Sequence, residues 1–137
     1  MRRFAKAIMS SAALGAMVLA ASADARPRLT GEQELARLLE GREAGRPVSC
    51  LTLSETRDQQ VIDKTAIVYG SGRTIYVNRT SFPRQLDSDD VLVSKLHGSQ
   101  VCRLDVLRLH DRSSHMYNGF VSLEDFVPYT RVATAAR

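Results

Sequence analysis

The stretch that most constrains the fold is Val61 to Asn78, VIDKTAIVYGSGRTIYVN. Thr65, Ile67, Val68 and Tyr69 precede its midpoint, and Thr74, Ile75, Tyr76 and Val77 follow it. These are β-branched or aromatic side chains, the types that fit a pleated, half-buried surface. Between the two groups lies Gly70-Ser71-Gly72, where glycine supplies the positive φ that a tight reversal needs. The pattern predicts an antiparallel hairpin, Val61 to Tyr69 against Arg73 to Asn78. Neither arm contains proline, so the hairpin is expected near the middle of a sheet.

Residues 1–25 read as a secretory leader. Arg2, Arg3 and Lys6 form a positive start, Ala7 to Ala20 is an apolar run of 14 residues, and Ala23-Asp24-Ala25 is a small-x-small cleavage site. Cleavage is expected after Ala25, with Ala23 as the alternative. The apolar run is shorter than the roughly 20 residues that span a bilayer, so no membrane anchor is expected once the leader is removed. No cysteine lies near the cleavage site to carry a lipid. The expected product is a single domain, residues 26–137, periplasmic or secreted. It carries sixteen Arg and Lys against fourteen Asp and Glu, mixed in sign along the chain. A nucleic-acid binder would show a basic stripe, so no nucleic-acid partner is expected.

Along that domain, Thr30 to Gln33 has the spacing of a capping box. Leu35, Leu38 and Leu39 then fall on one stripe, and Gly41 is a stop signal. A short amphipathic helix is expected over 31–40, followed by a linker over 43–47. Val48 to Leu53 reads as a strand, Ser54 to Gln60 as a turn, and Val91 to Leu96 as a further apolar run. Asp87 to Asp90 resembles the start of a calcium loop, but Leu92 and Gly98 stand where glycine and glutamate are required, so no calcium site is expected. Val101 to Leu109 alternates, with a bend expected near Asp105. Asp111 to Tyr117 is a polar loop, and Asn118-Gly119 is a two-residue turn signal. Ser122 to Asp125 could cap one helical turn ending at Pro128. The tail after Tyr129 is expected to be loose.

Five short motifs carry a resemblance: Cys50-Leu51, Ile62-Asp63-x-Thr65-x-Ile67, Tyr76-Val77-Asn78-Arg79, Cys102-Arg103-x-Asp105 and Phe126-Val127-Pro128-Tyr129. Together they resemble an uncharacterised family of small exported bacterial proteins, a domain of unknown function. The resemblance covers about Cys50 to Tyr129. It implies export and offers no reaction. Many members of that family carry four cysteines, and the two that are missing here fall near Phe82 and Phe120. Their joint absence implies that Cys50 and Cys102 are the remaining pair.

The residues themselves agree with that pairing. Two cysteines in a small exported domain make one disulfide in most cases, whereas a redox dithiol would need Cys-x-x-Cys spacing that Cys50 and Cys102 lack. His97, His110 and His115, with Asp111 or Cys102, lack the short-spaced pairs of a closed zinc site, and no metal or other cofactor is expected. Gly70-Ser71-Gly72 lacks the strand-to-helix setting of a nucleophilic serine. Asp63, Asp105 and Glu124 could serve as acid and base only if the fold gathers them, and no catalytic residue is assigned. Arg103 and Asp105 are expected to form a structural salt bridge. Asn78-Arg79-Thr80 is a glycosylation sequon, which matters only in a eukaryotic secretory pathway.

The sequence thus points to an α+β fold: one small domain, mainly antiparallel β-sheet, with an N-terminal helix, a central hairpin and one disulfide. The expected role is a non-catalytic binding or accessory module for an envelope protein or a small ligand. A small hydrolase-like or metal-dependent periplasmic enzyme is the alternative. Two convergent carboxylates or histidines in a deep pocket would favour the enzyme; an exposed apolar or aromatic sheet face would favour the binder.

Overall fold

The computed structural model describes residues 27–96 and 98–133, so the leader lies outside the described residues. Ten strands follow one helix, α1 (Gly31–Leu39): β1 (Arg42–Ala44), β2 (Cys50–Thr52), β3 (Gln59–Ile62), β4 (Ala66–Tyr69), β5 (Thr74–Asn78), β6 (Asp90–Ser94), β7 (Gln100–Cys102), β8 (Val106–Asp111), β9 (Tyr117–Ser122) and β10 (Phe126–Arg131). A 3-10 turn, Pro83–Gln85, precedes β6. Every strand pairing is antiparallel. The strands form a five-stranded sheet in the order β1-β10-β5-β4-β3, a three-stranded sheet β6-β8-β9, and a pair β2-β7.

The five-stranded sheet has both faces covered. Leu35, Leu38 and Leu39 of α1 pack on Ile62, Ala66, Val68, Ile75 and Val77. On the opposite face Ile67, Tyr69 and Phe126 meet Leu51, Val101, Leu107, Leu109 and Val121 from the other two sheets. The molecule is therefore three layers deep, helix on sheet on sheet. A strand in the middle layer has no polar face to spare, which is why Ala66-Ile67-Val68-Tyr69 is buried throughout.

The helix forms as its sequence dictates. Thr30 Oγ1 accepts from the Gln33 amide and Gln33 Oε1 accepts from the Thr30 amide, closing the capping box. Gly41 takes φ +70° just past the end. Gly31 has a second reason: a Cβ there would lie 2.0 Å from Thr65 Oγ1 and 2.4 Å from the Asp63 carbonyl. Only glycine lets the first helical turn come this close to the β3–β4 turn.

The predicted hairpin is present as β4–β5, with Tyr69 opposite Tyr76, and β5 is the central strand of its sheet. Its first arm is shorter than expected. Lys64 adopts φ 54°, the Thr65 amide bonds the Ile62 carbonyl, and Thr65 Oγ1 bonds the Asp63 carbonyl. These contacts close a tight turn, so Val61 and Ile62 belong to a separate strand, and β3-β4-β5 is a meander.

Four other expectations are corrected. The stretch over 43–47 is not merely a linker, because Arg42 to Ala44 pairs with β10. Asn118-Gly119 is not a turn but lies within β9, at an irregularity opposite Leu109 and His110. The turn forms earlier, where the Asp111 carboxylate accepts from the amides and hydroxyls of Ser113 and Ser114. Those four bonds outcompete the Asn-Gly preference, and they hold the Asp111 carboxyl well below its ordinary range, the Ser113 hydroxyl contributing most. Ser122 to Asp125 forms no helical turn. The fully buried Asn78 side chain accepts from the Glu124 amide (3.0 Å) and donates to the Glu124 carbonyl (2.6 Å), holding this stretch against β5.

Finally, Thr130 and Arg131 are not part of a loose tail, because β10 continues to Arg131 between β1 and β5; residues 134–137 lie outside the described residues. Pro128 is tolerated inside it for a geometric reason. Phe126 exchanges both backbone bonds with Val48, so Pro128, two residues on, also turns its backbone away from β5. There its carbonyl accepts from Gly45 just beyond β1, and the missing N–H is not needed.

Candidate functional site

The second layer differs from the first because only its inner face is covered. In β8, Leu107 and Leu109 are buried while Val106 and Arg108 are exposed. Arg108 lies directly between Val93 of β6 and Phe120 of β9, and His110 between Val91 and Tyr117. Cross-strand partners share a face, so Val91, Val93, Val106, Tyr117 and Phe120 form one outward-facing surface. Each of them is between 41 and 58% exposed.

This surface has a defined relief. A groove of about 540 Å³ runs over Val93, Lys95, Leu104, Asp105, Val106, Arg108 and His110. Leu104, held at φ 71° in the β7–β8 turn and 66% exposed, forms one wall. Phe82 extends the aromatic end by packing edge-on against Phe120, ring centres 6.2 Å apart. The His110 ring sits edge-on to Tyr117 at 5.8 Å, with its Nδ1 3.3 Å from the His115 carbonyl. Neither Arg108 nor Lys95 makes an ion pair among the described residues. The surface is therefore mainly apolar and aromatic, with two cations that make no ion pair among the described residues and one acid, Asp105, with a carboxylate oxygen already engaged by the Cys102 amide.

The face also borders an open sheet edge, because β6 pairs with β8 alone. Natural edge strands are usually blunted by lysine, proline, a bulge or an inward-pointing charge, and within β6 the last of these alone is found. β6 reads Asp90-Val91-Leu92-Val93-Ser94, and Asp90 is turned inward, where its carboxylate accepts from the Asn118 amide.

The other candidate residues go to structural tasks. Cys50 and Cys102 form the expected disulfide and face each other across β2–β7, Cα atoms 4.0 Å apart. Arg103 does not pair with Asp105; its guanidinium lies 3.7 Å from Asp125. The Asp105 carboxylate instead accepts from the Cys102 amide at 2.7 Å, which creates the bend between β7 and β8. The Asp63 carboxylate accepts from the Ser88 amide. Asp63, Asp105 and Glu124 are not hydrogen-bonded to one another, and among the described residues no three His, Cys, Asp or Glu side chains gather as a metal site. His97 lies outside the described residues. Asn78 of the sequon is fully buried and cannot carry a glycan.

The runs Val91 to Leu96 and Val101 to Leu109 foreshadow β6 and β8 of this face, but β9 is hidden behind the Asn118-Gly119 turn signal, and so is the face. Val101 to Leu109 alternates as one run, but only its odd-numbered hydrophobics point inward: Val101, Leu107 and Leu109 are buried. Arg103 and Asp105, which blurred that face in the sequence, sit in the turn. Without those two, the run has a buried face and, opposite it, the exposed Leu104 and Val106.

The fold and this surface define a small, disulfide-linked α+β domain with an unpartnered sheet face. Among the described residues no helix is long and apolar enough to cross a membrane. No family model, no curated protein and no solved structure matches the chain.

Proposed function

We propose that the protein is an exported, non-catalytic binding module that uses the outer face of β6-β8-β9 to hold an extended segment of an envelope protein. That segment is apolar and carries at least one Asp or Glu. The observation behind this reading is Arg108, which makes no ion pair among the described residues and is set between Val93 and Phe120 on a mainly apolar face. An apolar segment covers the valines and the aromatic rings, and a carboxylate meets Arg108 and Lys95. The open edge of β6 offers backbone groups to an extended chain, the mode in which a strand adds to a sheet.

Export is supported by the disulfide, a bond of oxidising compartments, together with the leader-like residues 1–25. Membership of the exported family that the motifs resemble is supported by a local detail. The two positions near which that family carries its second cysteine pair hold Phe82 and Phe120, whose rings touch. An aromatic contact stands where a covalent link would otherwise tie the Phe82 loop to β9.

The test is a pull-down from periplasmic extract with residues 26–137 as bait, run in parallel with Val93→Asp, Arg108→Glu and Arg131→Gln variants. A partner retained by the parent and by Arg131→Gln, lost by the other two, and cross-linked through an apolar segment bearing an acid is the expected result. Capture that is insensitive to Val93→Asp and Arg108→Glu, or a concentration-dependent dimer of the protein itself through this face, would overturn the proposal.

A further inference from the structure

A second surface, on the far side of the five-stranded sheet, has a different chemistry. α1 has nine residues and is about 13 Å long, while five strands spread over roughly 19 Å. The helix cannot cover the whole sheet, and the uncovered part is a cleft of about 690 Å³. Its floor includes Val68 and Ile75, and four arginines line it: Arg37 from α1, Arg42 from β1, Arg57 from the β2–β3 loop and Arg131 from β10. They come from four separate segments, so the cluster is a product of the fold and not of a basic stretch of sequence.

The four are not equivalent. Arg42 is fixed: Nη1 donates to the Arg73 carbonyl (2.7 Å) and the Tyr129 carbonyl (3.3 Å), and Nη2 to the Gly72 carbonyl (3.1 Å). A guanidinium has five N–H donors, so two remain for something else. Arg131 lies directly opposite Arg42 across the β1–β10 pair, a position where like charges repel. Burial, and then the Arg131 charge, both act to lower the Arg42 pKa. Arg37, Arg57 and Arg131 are exposed and make no ion pair among the described residues. Two acids also line the cleft, Glu40 and Asp58, and the Asp58 carboxylate is engaged by the Ser71 hydroxyl at 2.6 Å.

From this arrangement we infer that the cleft is a binding site for a small, multiply charged oxyanion, carrying phosphate or carboxylate groups, seated between Arg42 and Arg131 with Arg37 and Arg57 closing over it. Guanidinium groups match the planar, two-oxygen edge of both chemistries. Arg42 supplies a pre-positioned fork whose orientation is already held by three carbonyls. A bound anion also relieves the repulsion between Arg42 and Arg131. This site is separate from the outer face of β6-β8-β9 and stands whether or not that face binds a partner.

Calorimetric titration of residues 26–137 at low ionic strength with inorganic pyrophosphate and with citrate tests the inference, alongside flotation with phosphatidylcholine vesicles with and without phosphatidylglycerol. Saturable binding of at least one probe is expected, weakening as salt rises. Arg131→Gln and Arg57→Gln should each reduce the affinity about tenfold, the loss of one charge-assisted hydrogen bond. They should leave the fold intact, because neither side chain is buried, whereas Arg42→Gln also removes three internal bonds. Arg112→Gln, in the β8–β9 turn and outside the cleft lining, should leave the affinity unchanged. Binding to the anionic vesicles alone, with the same loss in Arg131→Gln, places the oxyanion on a lipid headgroup; binding of a free ion places it on a soluble ligand. No saturable binding to any probe, or an equal loss in Arg112→Gln and Arg131→Gln, would overturn the inference.

Discussion

β4 and β8 pack against the same core from opposite sides, yet they carry opposite kinds of sequence. β4 is Ala66-Ile67-Val68-Tyr69, apolar and buried at every position, because α1 lies over one of its faces and the second layer over the other. β8 alternates, with Leu107 and Leu109 inward and Val106 and Arg108 outward. The period of hydrophobicity in a strand counts its covered faces. The outward residues around β8 show more than that. A face meant only for water would carry Thr, Lys and Glu, and this one carries Val91, Val93, Val106 and Phe120.

The largest expected effect separates the two strands directly. Ile67→Asp places an unpaired charge in the core and should cost roughly 3 to 5 kcal/mol or prevent folding. Val93→Asp should stay within about 0.5 kcal/mol of the parent. Denaturant midpoints for the two variants decide the matter, and equal midpoints would break the comparison between a twice-covered and a once-covered sheet.

Next in size is the Cys50–Cys102 bond, which closes a separation of 52 residues. Reduction should remove about 4 kcal/mol on the chain-entropy account, and Cys50→Ser should behave like Cys102→Ser. The loss should be uneven. Amides of β2 and β7 should exchange with solvent well before those of β4 and β5, which hydrogen-exchange mass spectrometry can resolve. Uniform exchange in all three sheets would show that the layers unfold as one unit.

Gly31→Ala should be destabilising by about 1 to 3 kcal/mol, because the added methyl meets Thr65 and the Asp63 carbonyl. Helix propensity alone predicts a gain of up to about 1 kcal/mol, so the sign of the change in melting temperature distinguishes packing from propensity.

The smallest effect concerns the exposed bidentate pair between Glu32 and Arg79, which links α1 to the end of β5. Hydrogen bonding from Arg79 holds the Glu32 carboxyl below its ordinary range. Its contribution is therefore present above the unfolded pKa and lost as pH falls through the lower folded value. Glu32→Gln should cost about 0.2 to 1 kcal/mol at neutral pH and nothing in acid where both states are protonated. Melting curves at several pH values measure the difference.

What could be read from the sequence was local. The capping box, the Leu35 stripe and the Gly41 stop specify α1 within a residue, and Gly70 and the β-branched runs beside it specify β4–β5. The errors arose where a neighbouring turn or a distant group overrode a local preference. Asn118-Gly119 yields to four hydrogen bonds on Asp111, and Ser122 to Asp125 yields to the amide of Asn78 from another strand. Pro128 looked like an end because its carbonyl partner, Gly45, is far away in the chain. The outer face and the arginine cleft were hidden for the same reason. Arg37, Arg42, Arg57 and Arg131 share a cleft only after β10 has entered between β1 and β5.

That entry has a consequence in time. A chain emerging N-terminus first, from a ribosome or through a pore, delivers β1 early and β5 midway, with no direct pairing between them. β1 has nothing to bind and β5 keeps an open edge until residues 126–131 arrive. Phe126, the largest fully buried side chain, arrives with them. The principal sheet therefore cannot close before residues 126–131 are available. The pairings of β10 with β1 and with β5 are long-range, and they make this closure a slow, late folding step.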